Sequence, residues 1–192
     1  MNKLAAAYYI TAQGVPFIHA GEEMLRSKPL PDGTYDHNSY KSPDSVNNLK
    51  WDDLNQEIYQ DTYRYYQGLI AFRKAHPALR MTDPTQVQEA ITAIQDPNSS
   101  VLAFQIDGGV NGEESDGLYV IFNPRSEAAS MELPEGQWTV YINGEDAGTT
   151  PLDTAEGSVS VDPISAMVLV KDGSQIDEPI TSLTFPGRLV FI

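Results

Sequence analysis

Hydrophobic and polar positions follow two different rhythms along this chain. In the first third they recur at helical spacing or cluster. Leu4, Ala5, Ala6, Ala7, Tyr8 and Ile10 predict a helix over 3–13, with Gly14 placed as its C-terminal stop. Val15-Pro16-Phe17-Ile18-His19 is a near-continuous apolar run bounded by Gly14 and Gly21. Such a run predicts a strand buried on both faces, as in a parallel sheet, and Pro16 is tolerated near its start. Residues 20–53 read as a polar loop punctuated by Gly21, Pro29, Pro31, Gly33 and Pro43; a loop of that length points to function or disorder. Ile58, Tyr59, Thr62, Tyr65, Tyr66, Leu69, Ile70 and Phe72 then recur at steps of three and four, predicting a helix over 55–76. Arg73 and Lys74 suit the negative end of its dipole, and Pro77 terminates it.

From about residue 80 the period shortens to two. Alternating segments at 87–95, 100–107, 117–123, 128–133, 137–143, 157–161 and 164–171 are separated by turn residues such as Asp96-Pro97-Asn98, Gly108-Gly109, Pro134-Glu135-Gly136 and Asn143-Gly144. Short strands at regular intervals predict an antiparallel β-sandwich. The order helix, glycine, buried strand, long polar loop belongs to an α/β barrel, whose active-site loops follow its strands. The expected class is therefore α+β: a terminal fragment of a (β/α)8 (TIM) barrel over 1–79, an all-β sandwich over 80–171, and a tail or linker over 172–192.

Composition narrows the function. Twenty-seven acidic residues against 12 basic ones give a net charge of −15, which repels nucleic-acid phosphates and anionic membranes. Neither nucleic acid nor a membrane is expected as a partner; a neutral ligand suits this surface. No cysteine is present, so disulfides and thiolate metal sites are excluded. No apolar run reaches membrane-spanning length. The start, MNKLAAAYYITAQG, is a poor signal peptide because Tyr8, Tyr9, Thr11 and Gln13 interrupt it. The first helix reads as beginning in its middle.

Two runs are more specific: QGVPFIHAGEEMLRSK over 13–28 and DHNSYKSPDSVNNLKW over 36–51. Together they resemble the eighth barrel strand and following loop of type I pullulanases, in the α-amylase superfamily (glycoside hydrolase family thirteen). Phe72-Arg73-Lys74-Ala75-His76-Pro77-Ala78-Leu79-Arg80 resembles the family's eighth helix. Tyr119–Pro124 and Pro163–Leu169 resemble strands of its C-terminal sandwich. The resemblance covers about residues 2–171. It implies a C-terminal portion of an enzyme hydrolysing α-1,6-glucosidic linkages in pullulan, starch or glycogen, with α-glucan and the remaining barrel as partners. The family's three catalytic carboxylates follow the fourth, fifth and seventh strands, so none is expected in this chain, and the chain alone is expected to be inactive. No cofactor is implied, calcium in the intact parent being left open, and the parent is expected outside or on the surface of a bacterium. Pro29–Tyr35 departs from the family pattern as an insertion before Asp36.

Within the loop, Asp36, His37, Asn38 and Tyr40 are the candidate substrate-binding residues. Hydroxyls of a neutral sugar are met by planar hydrogen-bonding groups and its C–H faces by aromatic rings; the alternative is a loop held together by its own Asp, Asn and Ser side chains. Glu22 and Glu23 cannot be a retaining catalytic pair, whose carboxyls stand about 5–5.5 Å apart on opposite sides of the sugar. They are expected to tie the strand's end to adjacent loops. His19 is expected buried and partnered, His76 structural, Trp51 packed at the helix start, and Trp138 inward on a strand. No grouping has the spacing of a transition-metal or EF-hand site.

Val15, Phe17 and Ile18 would each gain roughly 1.5–3 kcal/mol from full burial, so residues 1–50 are expected to fold poorly without barrel neighbours. A glucan-binding or structural β module, or a truncated reading frame without its own role, are the competing readings.

Overall fold

The computed structural model describes residues 1–95 and 100–171; the predicted tail over 172–192 and the turn at 96–98 lie outside them. Helix α1 (Asn2–Thr11) is followed by an irregular stretch to residue 56, interrupted by the four-residue α2 (Asp44–Asn47), and then by the long α3 (Glu57–Ala75). Helix α4 (Pro84–Ala90) leads into six strands: β1 (Ile91–Gln95), β2 (Leu102–Asp107), β3 (Gly117–Asn123), β4 (Ala129–Ile142), β5 (Asp153–Val161) and β6 (Ser165–Lys171).

The strands form one antiparallel sheet in the order β1-β2-β3-β6-β4-β5. A sandwich of two separate sheets was expected; a single curled sheet stands in its place. The curl is visible where β3 reaches β5 although two strands separate them in the order. The Asn123 side-chain amide, fully buried, donates to the carbonyls of Val161 (3.1 Å) and Asp162 (2.9 Å). β4 supplies the bend through register shifts at 132–137 and 140–142, which is why two predicted strands, 128–133 and 137–143, are one. Extra residues on one strand of a pair increase local twist.

Every residue of β3 is buried, because the two faces of the sheet each cover a core. Leu118, Val120 and Phe122 face the helices, packing with Ala6, Ala7, Ile10, Tyr65, Leu69 and Phe72. Tyr119 and Ile121, alternating with them, face the inside of the curl with Met131, Trp138, Val140 and Leu169. The period-two pattern sorts one strand into both cores.

Two predicted strands change identity. Residues 87–90 belong to α4, not to a strand, because Asp83 caps the helix by accepting from Thr85 N (2.8 Å) and Pro84 occupies its first turn. The strand begins only at Ile91. Residues 15–19 form no strand: Val15 is 97% exposed and Phe17 87%. An extended segment becomes a strand only when neighbours take its N–H and C=O groups, and among the described residues no strand lies beside this one.

The first helix is anchored in spite of this. Arg73, buried near the end of α3, donates to the carbonyls of Ile10 (2.7 Å), Ala12 (2.8 Å) and Gly14 (2.6 Å). The first two are acceptors that a helix C-terminus leaves without intrahelical partners; the third lies just beyond the helix. The expectation that residues 1–50 fold poorly meets a first helix with Ala6, Ala7 and Ile10 in the core.

α3 lies so close to the β4–β5 connection that Gly68 cannot carry a side chain. A Cβ there would stand 1.9 Å from the Ala147 carbonyl oxygen. Gly68→Ala should therefore destabilise the chain by about 1–3 kcal/mol through overpacking, although alanine is the better helix former by roughly 1 kcal/mol. Urea unfolding checks this; a raised midpoint for the variant would contradict the close approach.

Candidate substrate loop

The loop between α1 and α3 is built by its own side chains. Gly21 has φ +96°, a left-handed conformation that glycine adopts without penalty, and its tight turn brings Arg26 back to donate to the Ala20 carbonyl at 3.1 Å. The Arg26 guanidinium also donates to the carbonyl of Asn47. Lys28 reaches across to the Ser39 hydroxyl (2.5 Å) and the Asn47 side-chain oxygen (3.1 Å). Asn47 returns two bonds from its amide, to the carbonyls of Ser39 (2.6 Å) and Ser42 (2.9 Å). The run Pro29–Tyr35, read as an insertion, closes on itself as a small antiparallel bridge between those two residues.

This frame places three of the four candidates, His37, Asn38 and Tyr40, on the outside and leaves Asp36 half-buried. Asp36 accepts from Asn38 N at 2.8 Å and from the Ser42 hydroxyl. Those two bonds, Ser42's first, stabilise the carboxylate and hold it below the usual range. His37 and Asn38 are exposed, and Tyr40 is 75% exposed with the Lys41 ammonium 5.3 Å from its ring centre. Ser39, in the same run, is buried and serves the frame. The stretch thus divides by role: Ser39, Ser42 and Asn47 build, while His37, Asn38 and Tyr40 present. Asp36 does both.

The acidic pair behaves as an anchor. Glu22 accepts from the Tyr9 hydroxyl at 3.0 Å, and Glu23 from Gly21 N at 3.0 Å. Burial, the Tyr66 hydroxyl and then Glu22 push the Tyr9 phenol far above its ordinary value. Glu22 holds the turn to α1 and Glu23 closes the turn on itself, where a tie to adjacent loops is the sequence expectation.

Two aromatic expectations fail here. His19 is exposed, since the segment it closes has no neighbours to bury it. Trp51 is 60% exposed instead of packing at the start of α3. Trp138 is fully buried in the inner core and His76 is buried against Glu113, as the alternation and the following proline imply. Sequence reasoning missed Lys28 and Arg26; a basic residue that reaches nineteen or twenty-one positions along a loop leaves no periodic trace. Among the described residues no cluster of His, Asp and Glu is arranged to hold a metal ion, and no helix is long and apolar enough to cross a membrane.

Comparison with known proteins bears on this arrangement. Residues 87–146 match the family model described as the all-beta domain of pullulanase. The pullulanase of Bacillus subtilis (strain 168) is 33% identical over 133 residues, covering 69% of this chain and 17% of the relative. The chain is of the pullulanase type. An isoamylase from a Flavobacterium species is 30% identical over 147 residues, covering 67% of this pullulanase-type chain and 18% of that enzyme. The structure superposes on the pullulanase of Bacillus acidopullulyticus with a TM-score of 0.79 at 34% identity, covering 88% of this chain and 20% of that one. A Bacillus subtilis pullulanase solved with maltose aligns at a TM-score of 0.77 and 27% identity, over 90% of this chain and 23% of the other. The chain therefore spans about a fifth of the length of the relatives it matches. The likeness covers the six-stranded antiparallel sheet with its few helices.

Proposed function

We propose that this chain is the C-terminal portion of a glycoside hydrolase that cleaves α-1,6 linkages in pullulan- or starch-type glucans. Residues 15–19 supply a strand to the catalytic barrel, the 20–53 loop borders the glucan cleft, and the β sheet supports both. Support comes above all from the folded loop, which turns His37, Asn38 and Tyr40 outward beside the half-buried Asp36 on a frame tied by Lys28, Arg26 and Asn47. Neutral sugars are bound by such a mix of acceptors, amides and an aromatic ring. The fully exposed Val15 and Phe17 fit a strand waiting for neighbours. The catalytic carboxylates come from sequence outside this chain.

The test uses the chain alone and a chimera in which it replaces the corresponding segment of the Bacillus subtilis pullulanase. The chain alone should release no reducing sugar from pullulan; the chimera should release it. Asp36→Ala in the chimera should lower kcat/KM by about 10–100-fold, the loss of one hydrogen bond to a charged group, about 1.5–3 kcal/mol. Sugar release by the isolated chain, or an unaffected Asp36→Ala chimera, would reject the reading.

A second reading, direct glucan binding by the chain itself, draws on the exposed Tyr35, Tyr40 and Trp51. It predicts retention on an amylopectin affinity gel, and free passage through that gel dismisses it.

A further inference from the structure

One buried pair of polar side chains lies outside the loop and has no part in it. His76 ends α3, and its Nδ1 lies 3.1 Å from Glu113 Oε1, with both side chains only 3% exposed. Glu113 sits in the β2–β3 connection, 37 residues further along the chain. Its carboxylate also accepts from the Ser115 hydroxyl (2.8 Å), Ser115 N (3.2 Å) and Ala78 N (3.4 Å). Beside it, the exposed Asn111 donates to the Pro77 carbonyl at 2.7 Å. The connection over 108–116 is therefore fastened to the turn after α3 by polar contacts centred on a single carboxylate.

Of the other charged groups, Glu114 and Asp116 on the connection itself are exposed, and the two arginines at the end of α3 and after it are engaged elsewhere. Arg73 directs its guanidinium to the carbonyls of Ile10, Ala12 and Gly14, and Arg80 directs its own to those of Arg73 and Lys74. From β4 comes Tyr141, whose ring centre is 6.3 Å from that of His76, and from α3 comes Phe72, at 4.2 Å. His76 Nε2 is buried with no hydrogen-bond partner among the described residues. A ring nitrogen in that position is better left as a bare lone pair than made a donor with nothing to receive it. The geometry thus favours the tautomer that donates from Nδ1 to an ionised Glu113.

We infer that His76 and Glu113 form an acid-released clasp: proton uptake by Glu113 frees the 108–116 connection from the end of α3 before the sheet itself opens. A protonated Glu113 has one acceptor fewer for four converging donors, and the imidazole N–H then loses its charged partner. Burial pushes the Glu113 carboxyl up, but the His76 and Ser115 contacts outweigh it and leave the group below its ordinary value of 4.5. A carboxyl lowered in this way stabilises the docked state above the unfolded value and ceases to do so as pH falls through the folded value. The release therefore belongs to the acidic side of pH 4.5.

Amide hydrogen exchange of the full chain tests this, with rates corrected for their intrinsic pH dependence. Protection of 108–116 should be constant at neutral pH and then fall about tenfold per pH unit, as one linked proton requires, while β3 and β6 stay protected. Glu113→Gln should show low protection of 108–116 at every pH and no such step. His76→Asn, whose side-chain amide N–H can stand where Nδ1–H does, should keep the step. The clasp is refuted if wild-type 108–116 loses protection only together with β3, or if Glu113→Gln retains the wild-type step. Should Glu113→Gln fail to fold, the order of opening in the wild-type chain still decides between the two.

Discussion

Trp138→Ala should cost this chain about 3–5 kcal/mol, the range for removing a large buried aromatic. Trp138 is fully buried and is the largest side chain of the core inside the curl. Its ring stands 5.8 Å from that of Tyr119, and the Lys171 ammonium lies 5.9 Å from its centre. Its indole N–H donates to the Pro134 carbonyl at 2.9 Å, bracing the bulge where β4 bends. Alanine would remove the filling of the curl and the brace of the bend together. Trp138→Phe retains most of the volume but not the donor, and should cost clearly less. Urea unfolding of the three proteins, followed by tyrosine fluorescence or circular dichroism, gives the comparison. Equal losses for the two variants would assign the effect to the hydrogen bond; a loss under about 1 kcal/mol for alanine would mean that the curl closes without this side chain.

The second large effect is expected at Arg73. Arg73→Ala leaves three carbonyls at and just after the end of α1 without their donor, Ile10 being buried, Ala12 half-buried and Gly14 exposed. Hydrogen bonds from a charged group contribute about 1.5–3 kcal/mol each, with incomplete additivity. A loss of about 3–5 kcal/mol is expected. Burial makes the charged guanidinium harder to keep, lowering its pKa, but arginine stays protonated at any ordinary pH. The result is thus predicted to be independent of pH between 5 and 9 (about the range over which neither arginine nor the carbonyls titrate). Arg73→Lys supplies one ammonium where a planar fork spans three acceptors and should recover only part. Limited proteolysis adds a local readout, since cleavage within 1–20 should rise in Arg73→Ala while the sheet remains resistant. A variant with unchanged stability would mean that α1 is held by its apolar contacts alone.

Much of this arrangement can be read without coordinates, for identifiable reasons. Alternation located β2, β3 and β6 almost to the residue, since their side chains are sorted by two packed faces. Helical spacing located α3 within two residues at each end. The failures share a cause, which is that local pattern does not report neighbours. Val15-Pro16-Phe17-Ile18 has the composition of a buried strand, yet it is exposed because nothing among the described residues pairs with it. The alternation over 87–95 conceals a short helix that Asp83 and Pro84 initiate, a capping signal that overrides the period. In the loop, side-chain chemistry marks the outward residues, but not the frame. Lys28 acts across eleven and nineteen positions, a reach that neither spacing nor propensity encodes. The Glu113–His76 pair was invisible for the same reason.

The position of β6 has a consequence for how this chain must be made. It is the last strand described, yet it stands third from one edge, joining β3 on one side to β4 on the other. Until Ser165–Lys171 leaves the ribosome, the β1–β2–β3 meander and the β4–β5 hairpin have no strand between them. Each would wait with an unpaired edge, the circumstance in which nascent chains cross-pair or recruit chaperones. A ribosome-bound chain whose residues up to 164 have emerged from the exit tunnel should therefore hold two separate protease-sensitive pieces, and the emergence of seven more residues should join them.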